Sequence, residues 1–248
     1  MNFSPLLVTL LGSLALVAAP LGRTGSPQEP APTTGFLDRQ IRLGEQDFRF
    51  VVYVPPSYDP ADRWPVIMFL HGRGECGTDG LKQVGQGLGR AIMNDRARWP
   101  FIVVFPQKPD PEKTWLDYDA IVMGSLKETE REFSTDPART YLTGLSQGGL
   151  GTWEIGAAHP QRWAALVPIC GFGDPDAIAP RVKDLPIRCY HGGADNVVGP
   201  EQSRRIIEAL KAHGAQPAYT EFEGVNHNSW DRAYAEPDLP AWLLSHHK

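Results

Sequence analysis

The sequence predicts an α/β protein with a mostly parallel central sheet flanked by helices. Two observations carry this prediction. Short runs rich in β-branched and aromatic residues alternate along the chain with longer segments of helical periodicity. Several of the short runs are almost wholly apolar, which is typical of strands buried on both faces of a parallel sheet. Regular alternation of strand and helix favours a layered fold with right-handed crossovers.

Eight runs predict strands, and the first two predict an opening hairpin around Gly44. The strand runs are residues 39–43, 47–54, 66–70, 101–105, 141–144, 164–170, 187–191 and 218–222. The segments 119–133, 150–159, 200–213 and 239–246 predict helices. In the third helix Pro200 stands in the first turn and Gly214 follows the last, which are favourable start and stop residues.

The composition is that of a globular protein, and the absence of an internal repeat or a second linker in the sequence predicts one domain. The chain has 248 residues, of which 42% are hydrophobic and 21% are charged. The formal net charge is −5 and no long basic run occurs, which argues against nucleic-acid binding. Three cysteines (Cys76, Cys170 and Cys189) are too few for a disulfide scaffold, and none has a metal-ligand spacing. The sequence therefore predicts no metal site.

The N-terminal segment has features of a secretory signal peptide. Residues 1–22 carry no charged side chain, and residues 6–19 are continuously apolar or small. Fourteen such residues are too few for a membrane-spanning helix, which needs about 20. We therefore expect a signal peptide at 1–22, a Pro-rich linker at 23–35 and a catalytic domain at 36–248, in a secreted or periplasmic protein. An uncleaved membrane anchor is the alternative.

The pentapeptide GLSQG at residues 144–148 is a G-x-S-x-G motif. A predicted strand enters it and a predicted helix leaves it, which is the context of a nucleophile elbow. Gly144 and Gly148 lack the side chains that would collide in so sharp a turn. Ser146 is therefore the candidate nucleophile, and a serine in a glycine-rich helix cap is the alternative.

A serine nucleophile needs a base and an acid that orients the base. Asp195 follows the predicted strand 187–191, and His227 follows the predicted strand 218–222. Both positions lie beyond the carboxyl ends of strands, where open α/β sheets place their sites. The order Ser146, Asp195, His227 is that of an α/β-hydrolase. Other candidates stay open: Asp174, Asp176 and Asp184 for the acid, and His191 and His213 for the base.

Acyl transfer also needs two hydrogen-bond donors for the oxyanion. The backbone N–H of Gln147, directly after the nucleophile, is the first candidate. The second is the N–H of Arg73 in the HGRG turn that follows strand 66–70, with Gly74 as the alternative. His71 precedes this turn, and we expect it to hydrogen-bond and hold the oxyanion loop.

These motifs resemble the α/β-hydrolase fold. More narrowly, they are similar to the small carboxylesterases, phospholipase-like enzymes and acyl-thioesterases, including a secreted esterase branch often labelled as predicted peptidases. The matching stretches are FLHGRGE (69–75), TWLD (114–117), GLSQGG (144–149), HGGAD (191–195) and HNSWD (227–231), and they span roughly residues 37–247. Arg73 and Cys76 depart from the pattern, since such loops more often carry a small residue at the first position and a charged one at the second. The resemblance implies ester or thioester hydrolysis through an acyl-enzyme, without metal or cofactor.

Only residues 171–186 are available for a lid before the strand that precedes the acid, so we expect no large cap. An open site favours small or extended soluble esters as the substrate, and Trp115 and Trp230 are expected to line it, with packing as the alternative. A serine peptidase, with Glu75 recognising a substrate amine, would use the same triad. A non-catalytic carbohydrate-adhering surface protein is a second alternative, disfavoured because all three triad positions are filled. Nothing in the sequence indicates an oligomeric state.

Overall fold

The computed structural model of the protein describes residues 1–2 and 33–248. Apart from residues 1–2, the expected signal peptide lies outside the described residues, and so does most of the expected linker. Within residues 33–248 the chain forms eight strands and seven α-helices. The strands are β1 (Gly35–Leu43), β2 (Gln46–Val54), β3 (Trp64–Leu70), β4 (Ile102–Pro106), β5 (Thr135–Leu145), β6 (Ala165–Ile169), β7 (Arg188–Gly192) and β8 (Ala218–Phe222). The helices are α1 (Leu88–Asn94), α2 (Asp119–Glu132), α3 (Gln147–Ala158), α4 (Pro175–Val182), α5 (Glu201–Ala212), α6 (Trp230–Ala235) and α7 (Leu239–Leu244).

All eight strands belong to one sheet with the order β1-β2-β4-β3-β5-β6-β7-β8. β1 and β2 form the predicted antiparallel hairpin, and β2 runs antiparallel to β4. Gly44 in the hairpin turn has a φ of +61°, a conformation that favours glycine. The six neighbouring strands β4, β3, β5, β6, β7 and β8 are parallel, so their carboxyl ends share one edge of the sheet. The predicted mostly parallel α/β architecture is confirmed.

The sheet separates two hydrophobic cores. In β3, Val66 and Met68 belong to one core, while Ile67 and Phe69 belong to the other, because successive side chains point to opposite faces. Helices α2 to α5 cover the first face, and α1, α6 and α7 cover the second. Strands buried on both faces explain the continuous apolar runs in the sequence.

No separate cap covers the carboxyl edge within the part of the chain that the structure describes. The segment between β6 and β7 holds only α4, an eight-residue helix. The Asp174 side chain caps this helix by accepting from the Asp176 N–H at 3.1 Å. Among residues 1–2 and 33–248, no helix is both long and apolar enough to traverse a bilayer.

Candidate active site

Ser146 occupies a sharp turn between β5 and α3. Its φ of +56° lies in the region that non-glycine residues rarely adopt, as is typical of strained functional positions. The Ser146 N–H donates to the Ile169 carbonyl at 2.9 Å, which fixes the turn against β6. A Cβ at Gly144 would lie 2.3 Å from the Gly148 oxygen, and one at Gly148 would lie 1.9 Å from the Leu70 oxygen. Both flanking glycines are therefore required by backbone contact, as the motif predicts.

The structure brings Ser146, His227 and Asp195 into one hydrogen-bonded chain. His227 Nε2 lies 2.9 Å from Ser146 Oγ, and His227 Nδ1 lies 2.7 Å from Asp195 Oδ2. A carboxylate only accepts, so the His227 proton sits on Nδ1 and Nε2 is free to accept from the serine hydroxyl. This arrangement can deprotonate Ser146 during nucleophilic attack.

Asp195 is buried and fixed by its own loop. Its Oδ1 accepts from the N–H groups of Val197 at 2.9 Å and Val198 at 3.0 Å. Burial acts to raise the pKa of this carboxyl, but the hydrogen bonds from His227 and these two N–H groups outweigh it and hold the pKa below its ordinary value. The carboxylate therefore stays ionised beside the imidazole.

The other candidate histidines have different partners. His191 is completely buried, and its Nδ1 accepts from the Ser203 hydroxyl at 2.7 Å while its Nε2 donates to the Val198 carbonyl at 2.9 Å. Its Nε2 also lies 3.3 Å from Asp195 Oδ2. Burial lowers the pKa of His191, so it packs as a neutral ring behind the acid. His213 caps the end of α5 on the surface.

The alternative acids lie on the segment that holds α4. Asp174 is the helix cap, and Asp176 and Asp184 are exposed. None of the three contacts His227 through a hydrogen bond in the described part of the chain. Asp195 is the acid that the geometry joins to the histidine.

The loop after β3 faces the N-terminus of α3. Arg73 begins a 3₁₀ turn at residues 73–75, and its N–H donates to no oxygen outside that turn among the described residues. Gln147 is the first residue of α3, where backbone N–H groups have no helical partner. These two N–H groups are the ones that the sequence assigns to the oxyanion hole.

His71 is buried at the start of this loop and fixes it through hydrogen bonds. Its Nε2 accepts from the Lys108 N–H at 3.2 Å, so its Nδ1 carries the proton and donates to the Gly72 carbonyl at 2.6 Å. Burial lowers the pKa of His71 from 6.5 to about 3, which keeps the ring neutral. In the peptidase alternative, Glu75 would recognise a substrate amine. Its carboxyl instead lies against Gly72, and burial raises its pKa.

The two candidate tryptophans differ in exposure. Trp115 is completely buried; its indole packs on Gly151 and its N–H donates to the His71 carbonyl at 3.0 Å. A buried ring does not line the cleft, so the expectation of substrate contact is replaced by a packing role. Trp230 is partly exposed and meets the His227 ring edge-on at 5.4 Å between centroids. It therefore stays a candidate for substrate contact.

Cys170 lies behind the triad. Its thiol and ligand atoms of Asp195 and His227 all lie within 4.8 Å of one another, close enough to suggest a metal group. Burial raises the pKa of the Cys170 thiol to about 12, so the thiol is protonated beside the triad. Both His227 nitrogens already have partners. The donor set therefore favours the hydrogen-bonded triad over a metal.

Sequence reasoning missed one segment of this edge, residues 107–113. It follows β4 at the same edge of the sheet, and its carbonyls accept from the side chains of Arg73 and Gln147. Polar residues directly after an apolar parallel strand were the available signal, because that is where open α/β sheets place functional loops.

The sequence also matches known proteins. The Esterase family model, described as "Putative esterase", matches residues 42–242. The chain is 29% identical to acyl-protein thioesterase 1 homolog 2 of Dictyostelium discoideum, over 42% of this chain and 49% of that protein. It is 29% identical to poly(3-hydroxyalkanoate) depolymerase C of Paucimonas lemoignei, over 66% of this chain and 40% of that protein. A solved thermostable esterase superposes with a TM-score of 0.77 at 32% identity, covering 86% of this chain and 63% of that one. The chain thus spans about half or less of the length of these curated relatives.

Proposed function

The chain belongs to the Esterase family, and on that premise we propose that it hydrolyses carboxylic esters with Ser146 as the nucleophile. The observation that carries the proposal is the hydrogen-bonded chain from Ser146 through His227 to Asp195, with contacts of 2.9 and 2.7 Å. The neutral imidazole has its free nitrogen at the serine hydroxyl, which is the state that a general base requires.

The proposed reaction has two steps. Ser146 Oγ attacks the ester carbonyl as His227 takes the serine proton, and the tetrahedral oxyanion accepts hydrogen bonds from the N–H groups of Gln147 and Arg73. Collapse of this intermediate expels the alcohol, which takes the proton from His227 and leaves an acyl-serine. Water, deprotonated by the same histidine, then attacks the acyl carbonyl. Collapse of this second intermediate breaks the bond to Ser146 Oγ, which takes the proton from His227, and the carboxylic acid is released.

We propose small or extended soluble esters as the substrate class. Ser146 and Gln147 are partly exposed, and the segment that carries α4 is too short to form a lid over them. The names of the relatives include a thioesterase and a polyester depolymerase, so thioesters and polymeric esters belong in the same test. An open site is expected to favour small or extended soluble esters over buried long-chain lipids.

A fluorophosphonate probe with a panel of p-nitrophenyl esters tests this function. We expect the probe to label wild-type protein and short-chain esters to be cleaved, while Ser146→Ala loses labelling and at least about 10³-fold in kcat/KM. Aminoacyl anilides form the peptidase arm of the panel. Faster cleavage of anilides than of esters would replace the esterase with a peptidase, and the absence of both labelling and turnover would favour a binding protein.

We also propose that the protein is exported and that its catalytic domain begins near residue 36. This proposal rests on the apolar segment at 6–19 and the Pro-rich stretch that follows it. Mass spectrometry of the N-terminus of protein recovered outside the cytoplasm tests it. A mature chain that still begins at Met1 would refute cleavage.

A further inference from the structure

Lys108 is a completely buried cation directly after β4. Its Nζ donates to the Asp110 carbonyl at 2.7 Å, the Lys113 carbonyl at 2.8 Å and Cys76 Sγ at 3.3 Å. These acceptors use all three ammonium hydrogens. Two are backbone carbonyls and the third is a sulfur, so none of these three acceptors is a carboxylate. Because a buried charge is costly without such partners, the ammonium and the carbonyls hold one another in place.

The loop that Lys108 fixes also contacts both residues of the proposed oxyanion hole. Gln147 Nε2 donates to the Pro111 carbonyl at 2.9 Å and to the Lys113 carbonyl at 3.3 Å. Arg73 Nη1 donates to the same Pro111 carbonyl at 3.1 Å, and the Arg73 guanidinium pairs with Glu112. The two donor residues come from different elements, and this loop joins their side chains.

The main chain of Lys108 adds two further links to the oxyanion loop. Its N–H donates to His71 Nε2 at 3.2 Å, and its carbonyl accepts from the Gly77 N–H at 3.0 Å. Lys108 thus contacts the loop after β3 from its start to its end, through His71, Cys76 and Gly77.

We propose that Lys108 is a positioning residue that sets the separation of the Arg73 and Gln147 N–H groups. This inference rests on the proposed function, because it concerns the oxyanion hole of the same reaction. Oxyanion donors act only when they are fixed about 3 Å from the developing charge, and a displacement near 1 Å can cost about 10²-fold in rate. Lys108 itself touches neither the substrate nor the reacting atoms.

Lys108→Met tests the proposal, with Lys113→Met as the matched control. Methionine keeps the buried length of the side chain but donates no hydrogen bond, so the loop loses its internal anchor. Lys113 is on the same loop, and its side chain is exposed. We expect kcat/KM for p-nitrophenyl acetate to fall about 10- to 100-fold in Lys108→Met and less than twofold in Lys113→Met.

A thionoester separates a positioning role from a merely structural one. The tetrahedral intermediate of a thionoester carries its charge on sulfur, a weak acceptor that gains little from the oxyanion donors. We therefore expect the ratio of kcat/KM for p-nitrophenyl acetate over its thionoacetate to fall at least fivefold in Lys108→Met. Loss of correctly folded enzyme would lower both rates equally, so a folded variant with an unchanged ratio overturns the proposal.

Two further measurements keep the test decisive. If Lys108→Met does not stay folded, Gln147→Leu serves as the second variant. It removes the hydrogen bonds between the loop and the Gln147 side chain and leaves Lys108 buried. An oxoester-to-thionoester ratio equal to that of the wild type in Gln147→Leu overturns the proposal. Ser146→Ala separates this inference from the proposed function. If Ser146→Ala hydrolyses esters as fast as the wild type, the proposed function itself is refuted. If Ser146→Ala loses turnover but folded Lys108→Met keeps the wild-type ratio, only the role of Lys108 is refuted.

Discussion

Asp195 combines burial with ionisation. Its Oδ2 faces His227 Nδ1, and its Oδ1 is held by the N–H groups of Val197 and Val198, so the carboxylate cannot rotate freely. Burial alone would favour the protonated acid, and these hydrogen bonds reverse that preference. The negative charge is therefore present where it can fix the imidazole tautomer and stabilise the imidazolium that would form in the proposed attack.

Asp195→Asn is expected to lower kcat/KM by about 10⁴-fold with the fold retained. The amide carries no charge, and its NH₂ group favours the tautomer in which Nε2 of His227 holds the proton and faces Ser146. Ester hydrolysis and a thermal melt of the same preparation measure the loss. Asp184→Asn is the matched control, because that carboxylate is exposed and does not contact His227. Near-normal hydrolysis by a folded Asp195→Asn protein would contradict the assignment of the acid.

At the scale of the element, the turn between β5 and α3 is determined by backbone contact. Gly148 lies against Leu70 at the end of β3, and Gly149 lies against Ile169 at the end of β6. The ends of three strands, β3, β5 and β6, thus lie against the N-terminus of α3 without intervening side chains. This close approach places Ser146 and the proposed oxyanion loop on neighbouring elements of the same edge.

Gly148→Ala is expected to lower the free energy of unfolding by about 3 kcal/mol or more. Its Cβ would lie 1.9 Å from the Leu70 oxygen, which is backbone and cannot move aside without shifting β3. Urea unfolding measures the change. Gly74→Ala is the control for stability, because its Cβ would meet no atom within 4 Å. Equal stabilities of the two variants would contradict the role of this contact.

Elements with a strong local pattern were predictable from the sequence. The strands, the longer helices and the elbow glycines followed from apolar runs, periodicity and the need for a sharp turn. Helices α1, α4 and α6, with seven, eight and six residues, were missed because so few turns carry no clear periodicity. Their helical structure depends on packing against the sheet, α4 on the first face and α1 and α6 on the second, which only the tertiary structure supplies.

The site was predictable where residue type and strand order limit the choice. Ser146, Asp195 and His227 follow three different strands, and parallel strands bring such positions to one edge. The environment of Trp115 was not predictable, since its burial depends on the absence of a side chain at Gly151 on another element. Lys108 was missed for a related reason: lysine is rarely buried, and its carbonyl partners come from loop geometry rather than from a motif.

At the scale of the whole molecule, the buried neutral histidine His71 links the stability of the fold to pH. The folded protein keeps the pKa of His71 near 3, whereas an unfolded chain has the ordinary value of 6.5. Above pH 6.5 both states are neutral and the ring contributes its full stability. As the pH falls from 6.5 towards 3, the unfolded state binds a proton that the folded state excludes, so stability is lost.

His71→Asn is therefore expected to weaken the dependence of stability on pH. Asparagine can still donate to the Gly72 carbonyl but does not titrate, and one proton changes the free energy of unfolding by about 1.4 kcal/mol per pH unit. Between pH 7 and pH 5 the wild-type protein should lose about 2 kcal/mol more than the variant, as measured by urea unfolding at each pH. His191, whose pKa burial also lowers, is present in both proteins and cancels in this difference. His213→Asn, at an exposed position, should keep the wild-type slope. Parallel curves for wild type and His71→Asn would show that the ring titrates normally in the folded state and does not carry this linkage.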